Sequence, residues 1–432
     1  MLFKDYIETP PLKNIQLVFF FAINYKSVKG DLIFLTSHKH DPGICTQYAS
    51  TRITRYSIGY HLCDFSCHIY LSKLVKTISC PIMAAPLTSK LLVSDFASSV
   101  RHIPLTYVRP ISDRPQLSLV ENSGDTIPLI DLRDLYGPNR TKIIRQISHA
   151  CSTYGFFQIK NHGVSETTVN KMLTVAREFF HQPEGERMKH YSTDSTKTTR
   201  VSTSFNVSAD KILNWRDYLR LHCFPIQDFI NEWPENPVSF KEITAEYATS
   251  VRALVLRLLE AISESLGLER DHISNRLGTH AQHMAFNYYP PCPEPELTYG
   301  LPGHKDPTAI TVLLQDQVSG LQVFKDDEWI AVYPIPNTFI VNIGDQMQVI
   351  SNERYKSVLH RAVVNTEKER LSIPTFYFPS TDAVISPAQE LIDGQTSPAV
   401  YKSYPFVEYW DKFWDRSLAT ASCLDAFKAS TT

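Results

Sequence analysis

The chain has 432 residues, 43% of them apolar, enough for one large domain or two with a full core. A net charge of −2 removes any electrostatic case for nucleic acid or an anionic membrane as partner. Eight scattered cysteines make no disulfide framework, and no cleavable secretory pattern is present. Together these point to the reducing cytoplasm, with the nucleus open to it, and against secretion.

No apolar run approaches the roughly 20 residues that cross a bilayer; the longest candidate, 16–24, is too short. Residues 1–82 are basic and irregular, with four of the eight cysteines and no sustained period. His61, Cys63, Cys67, His68 and Cys80 invite a zinc reading, but their spacing fits no closed zinc module. Met83 followed by Ala84-Ala85-Pro86 looks like a natural start. The stretch before it reads as an extension without a fold, a gene-model artefact. Asp5, Glu8, Asp31, Asp41 and Asp64 argue against an organelle-targeting leader.

Residues 104–126 form a Pro-rich extended lead-in, and 127–132 alternate as a short strand. Ile143, Ile144, Ile147, Ala150 and Cys151 recur at helical spacing up to Gly155. Residues 156–159 make a strand, then Asn161-His162-Gly163 a turn, in which His162 reads as held by backbone rather than as a ligand. Ser165 caps the next helix, whose apolar face is Val169, Met172, Leu173, Ala176, Phe179 and Phe180. The polar loop 192–210 is either a candidate lid or a solvated connection. A strand runs from Trp215 to His222, and a long supporting helix spans 239–266, ended by Gly267.

From His283 onward short strands alternate with turn signals, clearest at 309–314, 321–324, 339–343, 358–364 and 371–378. The fold class is therefore mainly β with packed helices (α+β), built on an antiparallel barrel or jelly roll. The boundaries drawn are 104–235 for an N-terminal region, 236–278 for the long helix, 279–381 for the jelly roll and 382–432 for a cover segment. That last part carries an aromatic helix around Tyr404 to Phe413 at the barrel mouth.

The chemistry sits between Gly303 and Ser372. His304 and Asp306 are two apart, so an extended segment projects both from one face. His360 arrives from a strand far along the chain. Two imidazoles and a carboxylate on one face of an octahedral ion leave three positions open, as in non-haem Fe(II) oxygenases. Alone, the His-x-Asp reads equally well as a turn histidine beside Pro307. Arg370-x-Ser372, ten residues after His360, adds a cation and a hydroxyl on one strand face. Such a pair grips the distal carboxylate of a dicarboxylic acid.

The combination Asn287-Tyr288-Tyr289-Pro290, His304-x-Asp306, His360 and Arg370-x-Ser372 resembles the plant 2-oxoglutarate and Fe(II)-dependent dioxygenases, over about residues 104–415. Within them, Ser204-Phe205-Asn206-Val207, the stretch from Trp215 to His222, and that from Pro293 to Pro302 resemble the salicylate hydroxylase, or downy-mildew-resistance, branch. Some members of that branch act as flavone synthases. The resemblance implies a double-stranded β-helix fold and Fe(II) held by His304, Asp306 and His360. It implies 2-oxoglutarate as cosubstrate, its far carboxylate on Arg370 and Ser372 with Tyr289 and Asn287 beside it. O2 takes the remaining position, and ascorbate assists in vitro.

The substrate so implied is a small planar phenolic, salicylic acid converted to a dihydroxybenzoic acid. Flavone synthesis or flavanone hydroxylation is the alternative. Phe376 and Phe378 share the face of Ser372 and, with Phe205, would sandwich a flat ring; Phe378 reads as barrel core as well. Lys305 stands where the family usually has Thr, pointing away from the metal face yet able to act as a cation at the pocket rim. A jelly-roll protein binding metal or a small molecule without turnover is the competing class, and Arg370-x-Ser372 argues against it. A protein whose N-terminal helical region serves interactions is a third. Nothing in the chain demands a partner, so a monomer is expected.

Overall fold

The computed structural model describes residues 15–21, 32–38, 92–117, 126–205, 210–393, 395–414 and 422–429. It divides into two compact units, Met1–Ala84 and Ala85–Thr432. In the first, β1 (Ile15–Phe21) and β2 (Leu32–His38) pair antiparallel, Ile15 opposite His38 and Phe21 opposite Leu32. An extension without any local structure was expected there. The two strands correct that, and both are runs rich in β-branched and aromatic residues. The residues considered for zinc lie outside the described residues.

The second unit is a jelly roll. Its larger sheet has eight strands: β3 (Leu129–Asp131), β4 (Phe156–Lys160), β5 (Thr199–Thr203), β6 (Asp217–His222), β7 (Ala281–Tyr289), β9 (Ile310–Gln315), β12 (Phe339–Ile343) and β14 (Arg370–Phe378). They run in the order β3-β4-β12-β9-β14-β7-β6-β5. The smaller sheet is β11 (Glu328–Ala331), β10 (Leu321–Lys325), β13 (His360–Ala362) and β8 (Leu301–His304), in that order. Every residue of β9 and β12 is buried. One face of these strands looks into the barrel and the other meets helices, so they read as apolar runs rather than alternations.

Helices α1 (Arg140–Thr153), α2 (Glu166–Phe180) and α3 (Phe240–Ser265) form the outer layer. A stripe on α3, including Phe240, Tyr247, Val251, Leu254, Leu258 and Ile262, is buried. Ser165 caps α2, its hydroxyl accepting the Thr168 N–H at 3.0 Å. Gly155 ends α1 at φ +63°, where a Cβ would come within 2.4 Å of the Lys356 carbonyl oxygen. Only glycine fits that turn. His162 is buried in its turn, within reach of the Asn337 carbonyl and accepting the Val164 N–H, as expected of a structural histidine.

Two local expectations need correction. Much of the 192–210 segment is not a lid, because β5 lies inside it, buried throughout and paired along β6. The lead-in is not simply extended: Leu105–Tyr107 and Ile111–Asp113 form 3-10 turns. Tyr107 packs edge-on against Trp215, and Phe96 does the same, fastening this segment to the sheet. Helix α4 (Phe406–Trp414) is the expected aromatic helix. Among the described residues no helix is long and apolar enough to cross a membrane.

The β6–β7 pairing sets His222 against His283, their rings stacked at 3.7 Å. Burial pushes His222 and His280 down to about 4 and His283 well below its ordinary value. As pH falls below about 6.5 the unfolded chain protonates these histidines and the folded one does not, so stability drains away between pH 6.5 and 4. For His222 and His280, after discounting for partial exposure, the loss is about 1–2 kcal/mol each. Urea unfolding should show a lower midpoint at pH 5 than at pH 7. The drop should be smaller in His280→Gln, and a flat profile would contradict the assignment.

Candidate active site

Register brings the site together. His360 on β13 lies directly opposite His304 on β8, with ring centroids 4.2 Å apart. The chain then leaves β8, and Asp306 turns back so that its Oδ1 lies 3.7 Å from His304 Nε2 and 3.6 Å from His360 Nε2. The donor atoms of the three residues all lie within 4.8 Å of one another.

Hydrogen bonds fix which atoms remain available. His304 Nδ1 sits 2.9 Å from the Pro302 carbonyl oxygen and His360 Nδ1 3.1 Å from that of Val358. A carbonyl only accepts, so each Nδ1 carries the proton and each Nε2 presents a lone pair. Asp306 Oδ2 accepts from Thr311 Oγ1 and Asn342 Nδ2, both at 2.7 Å, leaving Oδ1 for the imidazoles. Burial and the adjacent His360 push His304 down to about 3. Burial works against the Asp306 anion, but the two imidazoles and the bonds from Asn342 and Thr311 outweigh it and hold its carboxyl below the ordinary range. Two ring nitrogens and a carboxylate oxygen thus converge on one point. That donor set fits a divalent cation of borderline character.

A second cluster lies on β7 and β14. Arg370 is the cross-strand partner of Tyr289, and Ser372 that of Asn287; the two pairs are separated by Leu371–Tyr288 and so share one face of the sheet. Arg370 is held by Nε donating to the Val318 carbonyl at 3.1 Å and Nη2 donating to Gln315 Oε1 at 2.8 Å. It lies over Gly320, where a Cβ would approach Arg370 Cδ to 2.8 Å. Its guanidinium is 5.3 Å from the Tyr289 ring centroid. Asn287 Nδ2 reaches Ser372 Oγ at 3.4 Å, while Asn287 Oδ1 is buried with no partner. Hydrogen-bonding capacity is left unspent at this rung.

One cavity of about 150 Å³ is lined by all ten residues picked from the sequence: His304, Asp306, His360, Arg370, Ser372, Tyr289, Asn287, Phe205, Phe376 and Phe378. Phe205 stacks on Trp414 at 5.4 Å, and Phe378 packs against Trp410 at 5.0 Å. Phe378 is both core and wall. Lys305 departs from expectation. It faces a separate cavity with Phe324, Gln348, Glu353 and Lys428, so it is no rim cation of the substrate pocket.

Sequence reasoning missed Thr311 and Asn342, the two anchors of Asp306. It also missed the arginines of β5 and β6, and the α4 side chains Trp410, Phe413 and Trp414, which line the cavity too. A signal existed for Asn342, a polar residue inside the apolar run 339–343. For the arginines it was the alternation of 216, 218 and 220, which puts them on one strand face.

Comparisons with known proteins agree with this geometry. Residues 280–379 match the model of the 2OG-Fe(II) oxygenase superfamily, and 127–236 that of the non-haem dioxygenase in morphine synthesis N-terminal family. Protein DMR6-LIKE OXYGENASE 1 of Arabidopsis thaliana is 83% identical over 350 residues, covering 81% of this chain and all of that protein. The chain belongs to the 2OG-Fe(II) oxygenase superfamily. Flavanone 3-dioxygenase 2 of Oryza sativa subsp. japonica is 51% identical, over 76% of this chain and 94% of its own. The crystal structure of JOX2 in complex with 2OG, Fe and JA superposes with a TM-score of 0.72 at 36% identity, covering 79% of this chain and 98% of that one. The protein is accordingly an oxidoreductase, a dioxygenase that uses Fe(II), 2-oxoglutarate and O2, on the jelly-roll fold expected of it.

Because Asn342 pins Oδ2, Asn342→Leu should loosen the carboxylate and lower ferrous-ion affinity about 10- to 100-fold. Titration of the purified protein with Fe(II) reads this directly. Unchanged affinity would show that Thr311 alone suffices.

Proposed function

We propose that His304, Asp306 and His360 are the Fe(II) ligands, and that Arg370 and Ser372, with Tyr289 and Asn287, receive the far carboxylate of 2-oxoglutarate. The substrate in this reading is a small planar phenolic, salicylic acid, hydroxylated to a dihydroxybenzoic acid. The observation that carries it is the single cavity joining the three-donor cluster, the arginine rung and an aromatic wall. The likeness to a DMR6-like oxygenase supports the same branch; the likeness to a flavanone 3-dioxygenase keeps flavanones as the second reading.

When bound, the iron supplies the redox chemistry: O2 is split between the substrate, which becomes hydroxylated, and 2-oxoglutarate, which becomes succinate and carbon dioxide. The chain's own work is orientation and shielding. The backbone carbonyls of Pro302 and Val358 hold both imidazoles with Nε2 forward. Arg370, only 2% exposed, fixes the far end of a dicarboxylate by charge-assisted bonds. Phe205, Phe376 and Phe378, with Trp410 and Trp414, clamp the ring and exclude water. A cytoplasmic monomer fits the four described cysteines, which are all buried and in no disulfide.

Two measurements test this. Arg370→Ala should raise the KM for 2-oxoglutarate about 10- to 100-fold while the phenol KM changes little, since a buried carboxylate loses its charged partner. Equal effects on both would move Arg370 out of the clamp. Incubation with salicylate and, separately, naringenin, with Fe(II) and 2-oxoglutarate, should give dihydroxybenzoate and stoichiometric succinate from salicylate. Turnover of naringenin alone would replace the salicylate reading with the flavanone one.

A further inference from the structure

Besides Arg370, four arginines reach the cavity: Arg200, Arg216, Arg220 and Arg361. Arg361 is accommodated where it is. Its Nε donates to Gln322 Oε1 at 2.7 Å, its Nη1 to Tyr299 Oη at 3.2 Å, and its guanidinium lies 3.9 Å from the Trp329 ring centroid. The other three are likewise held by neutral groups only: Arg200 and Arg216 lie 5.4 and 4.8 Å from the Tyr218 ring centroid, and each of the three donates to a hydroxyl or a carbonyl. Arg200 and Arg220 stand directly opposite each other across the β5–β6 pair, where like charges repel. Arg216 lies on β6's approach, its Nε donating to the Ser204 carbonyl at 3.0 Å.

Arg200 and Arg216 are buried charges and Arg220 is a half-buried one. Arg200 is 4% exposed and Arg216 6%. Among the described residues no carboxylate forms an ion pair with any of the three; the paired arginines are Arg109, Arg140, Arg177, Arg187 and Arg270. Arg200 Nη2 donates to Tyr218 Oη at 2.6 Å, and Arg220 Nη2 to the carbonyls of Ser195 and Lys197, each at 2.6 Å. Arg200 Nε and Arg220 Nε are buried with no partner at all. Burial and the facing Arg200 push Arg220 down to about 10, with the exposed Asp194 opposing only weakly, so it stays charged at neutral pH. Burying cations this way is costly unless an anion joins them.

The rung geometry shows where that anion goes. Arg220 is the cross-strand partner of Ala285, whose methyl leaves space in front of the guanidinium. The next rung is the neutral His222–His283 pair, which supplies no negative charge. On the other side Tyr218 pairs with Asn287, and Asn287 with Ser372. Along β7 the arginine rung is thus two residues from the Asn287–Ser372 pair and four from the Tyr289–Arg370 pair, on the same sheet face. Both carboxylates of 2-oxoglutarate are already provided for, one at the metal and one at Arg370, so these arginines are surplus to the cosubstrate.

We propose that Arg200 and Arg220, with Arg216 adding to the local positive field, receive a carboxylate of the primary substrate, so that the enzyme selects aromatic carboxylate anions over neutral phenols. The inference rests on the function proposed above and deepens it by naming the specificity-determining side chains. The ring of such an anion then lies toward Phe376, Phe378 and Trp410.

The test pairs salicylate with salicylamide, the same phenolic ring with its anion replaced by a neutral amide. Wild type, Arg200→Gln, Arg220→Gln and Arg220→Lys are compared by succinate release with Fe(II) and 2-oxoglutarate. Binding is read in parallel by quenching of tryptophan fluorescence, since Trp410 and Trp414 line the cavity. Wild type should prefer salicylate about 10- to 100-fold in kcat/KM, the scale of a charged hydrogen bond. Both Gln variants should raise the salicylate KM at least tenfold, more than they lower kcat, and collapse the preference. Arg220→Lys should restore part of it. Should Arg200→Gln fail to fold by circular dichroism, the wild-type ratio and Arg220→Gln still decide. Equal use of the two probes by wild type, or an equal loss of both in the Gln variants, overturns the arginine assignment and leaves the dioxygenase reading standing. Turnover of naringenin with neither probe bound overturns both.

Discussion

The division of labour between the two oxygens of Asp306 is the constraint on which the site depends. Oδ2 is occupied by Thr311 and Asn342, one on each of two adjacent central strands, β9 and β12. Oδ1 is thereby aimed at the two imidazoles. Were Oδ2 free, the carboxylate would rotate and offer its proton-accepting face elsewhere. The sheet core thus reaches the metal position through two hydrogen bonds of 2.7 Å. The histidines are fixed equally firmly, by backbone carbonyls that leave no choice of tautomer. Preorganisation of this kind means that three lone pairs stay crowded together in a buried space, which is unfavourable until a cation relieves it. The fold stores that cost in its packing, chiefly in the fully buried strands β9 and β12 against the long helix α3.

The cosubstrate clamp follows the same logic with opposite sign. Arg370 is a buried cation whose carbonyl and amide partners hold it in place without neutralising it. Gly320 permits the close packing that keeps its stem flat. An acceptor-rich cluster for a cation and a donor-rich rung for an anion therefore face one cavity. Each is incomplete alone, and together they define a molecule with one carboxylate near the metal and another one strand away.

Much of this was legible in the sequence because the motifs are short and the strands carry them rigidly. His304, Asp306, His360, Arg370 and Ser372 sit on or beside strands whose apolar runs stood out, and their alternation placed Phe376 and Phe378 on the same face as Ser372. Less legible was whatever depends on pairing between distant strands. That Asn342 and Thr311 would meet Asp306 follows from the register of β9 against β12, which no local pattern reveals. The 192–210 segment misled for a related reason. Its polar residues suggested a loop, yet Arg200 lines a cavity and every residue of β5 is buried, so a buried strand carried the composition of an exposed one. Lys305 was rightly turned from the metal, but where it went was set by the C-terminal segment that borders its cavity.

That last kind of failure also separates what is general in the enzyme from what is particular. The residues proposed for the metal and the cosubstrate come from β7 and β14, inside the larger sheet, and from β13 and β8, the last of these the edge of the smaller one. The residues proposed to meet the substrate come from β5, the edge of the larger sheet, from its neighbour β6 and from α4. An edge strand tolerates changes of composition that a central strand does not, since fewer neighbours must adjust. On the proposed assignment, substrate preference is most freely rewritten on β5 and α4. An arginine pair with opposed like charges is the sort of feature such an edge can hold: its cost is borne locally, and a bound anion would relieve it.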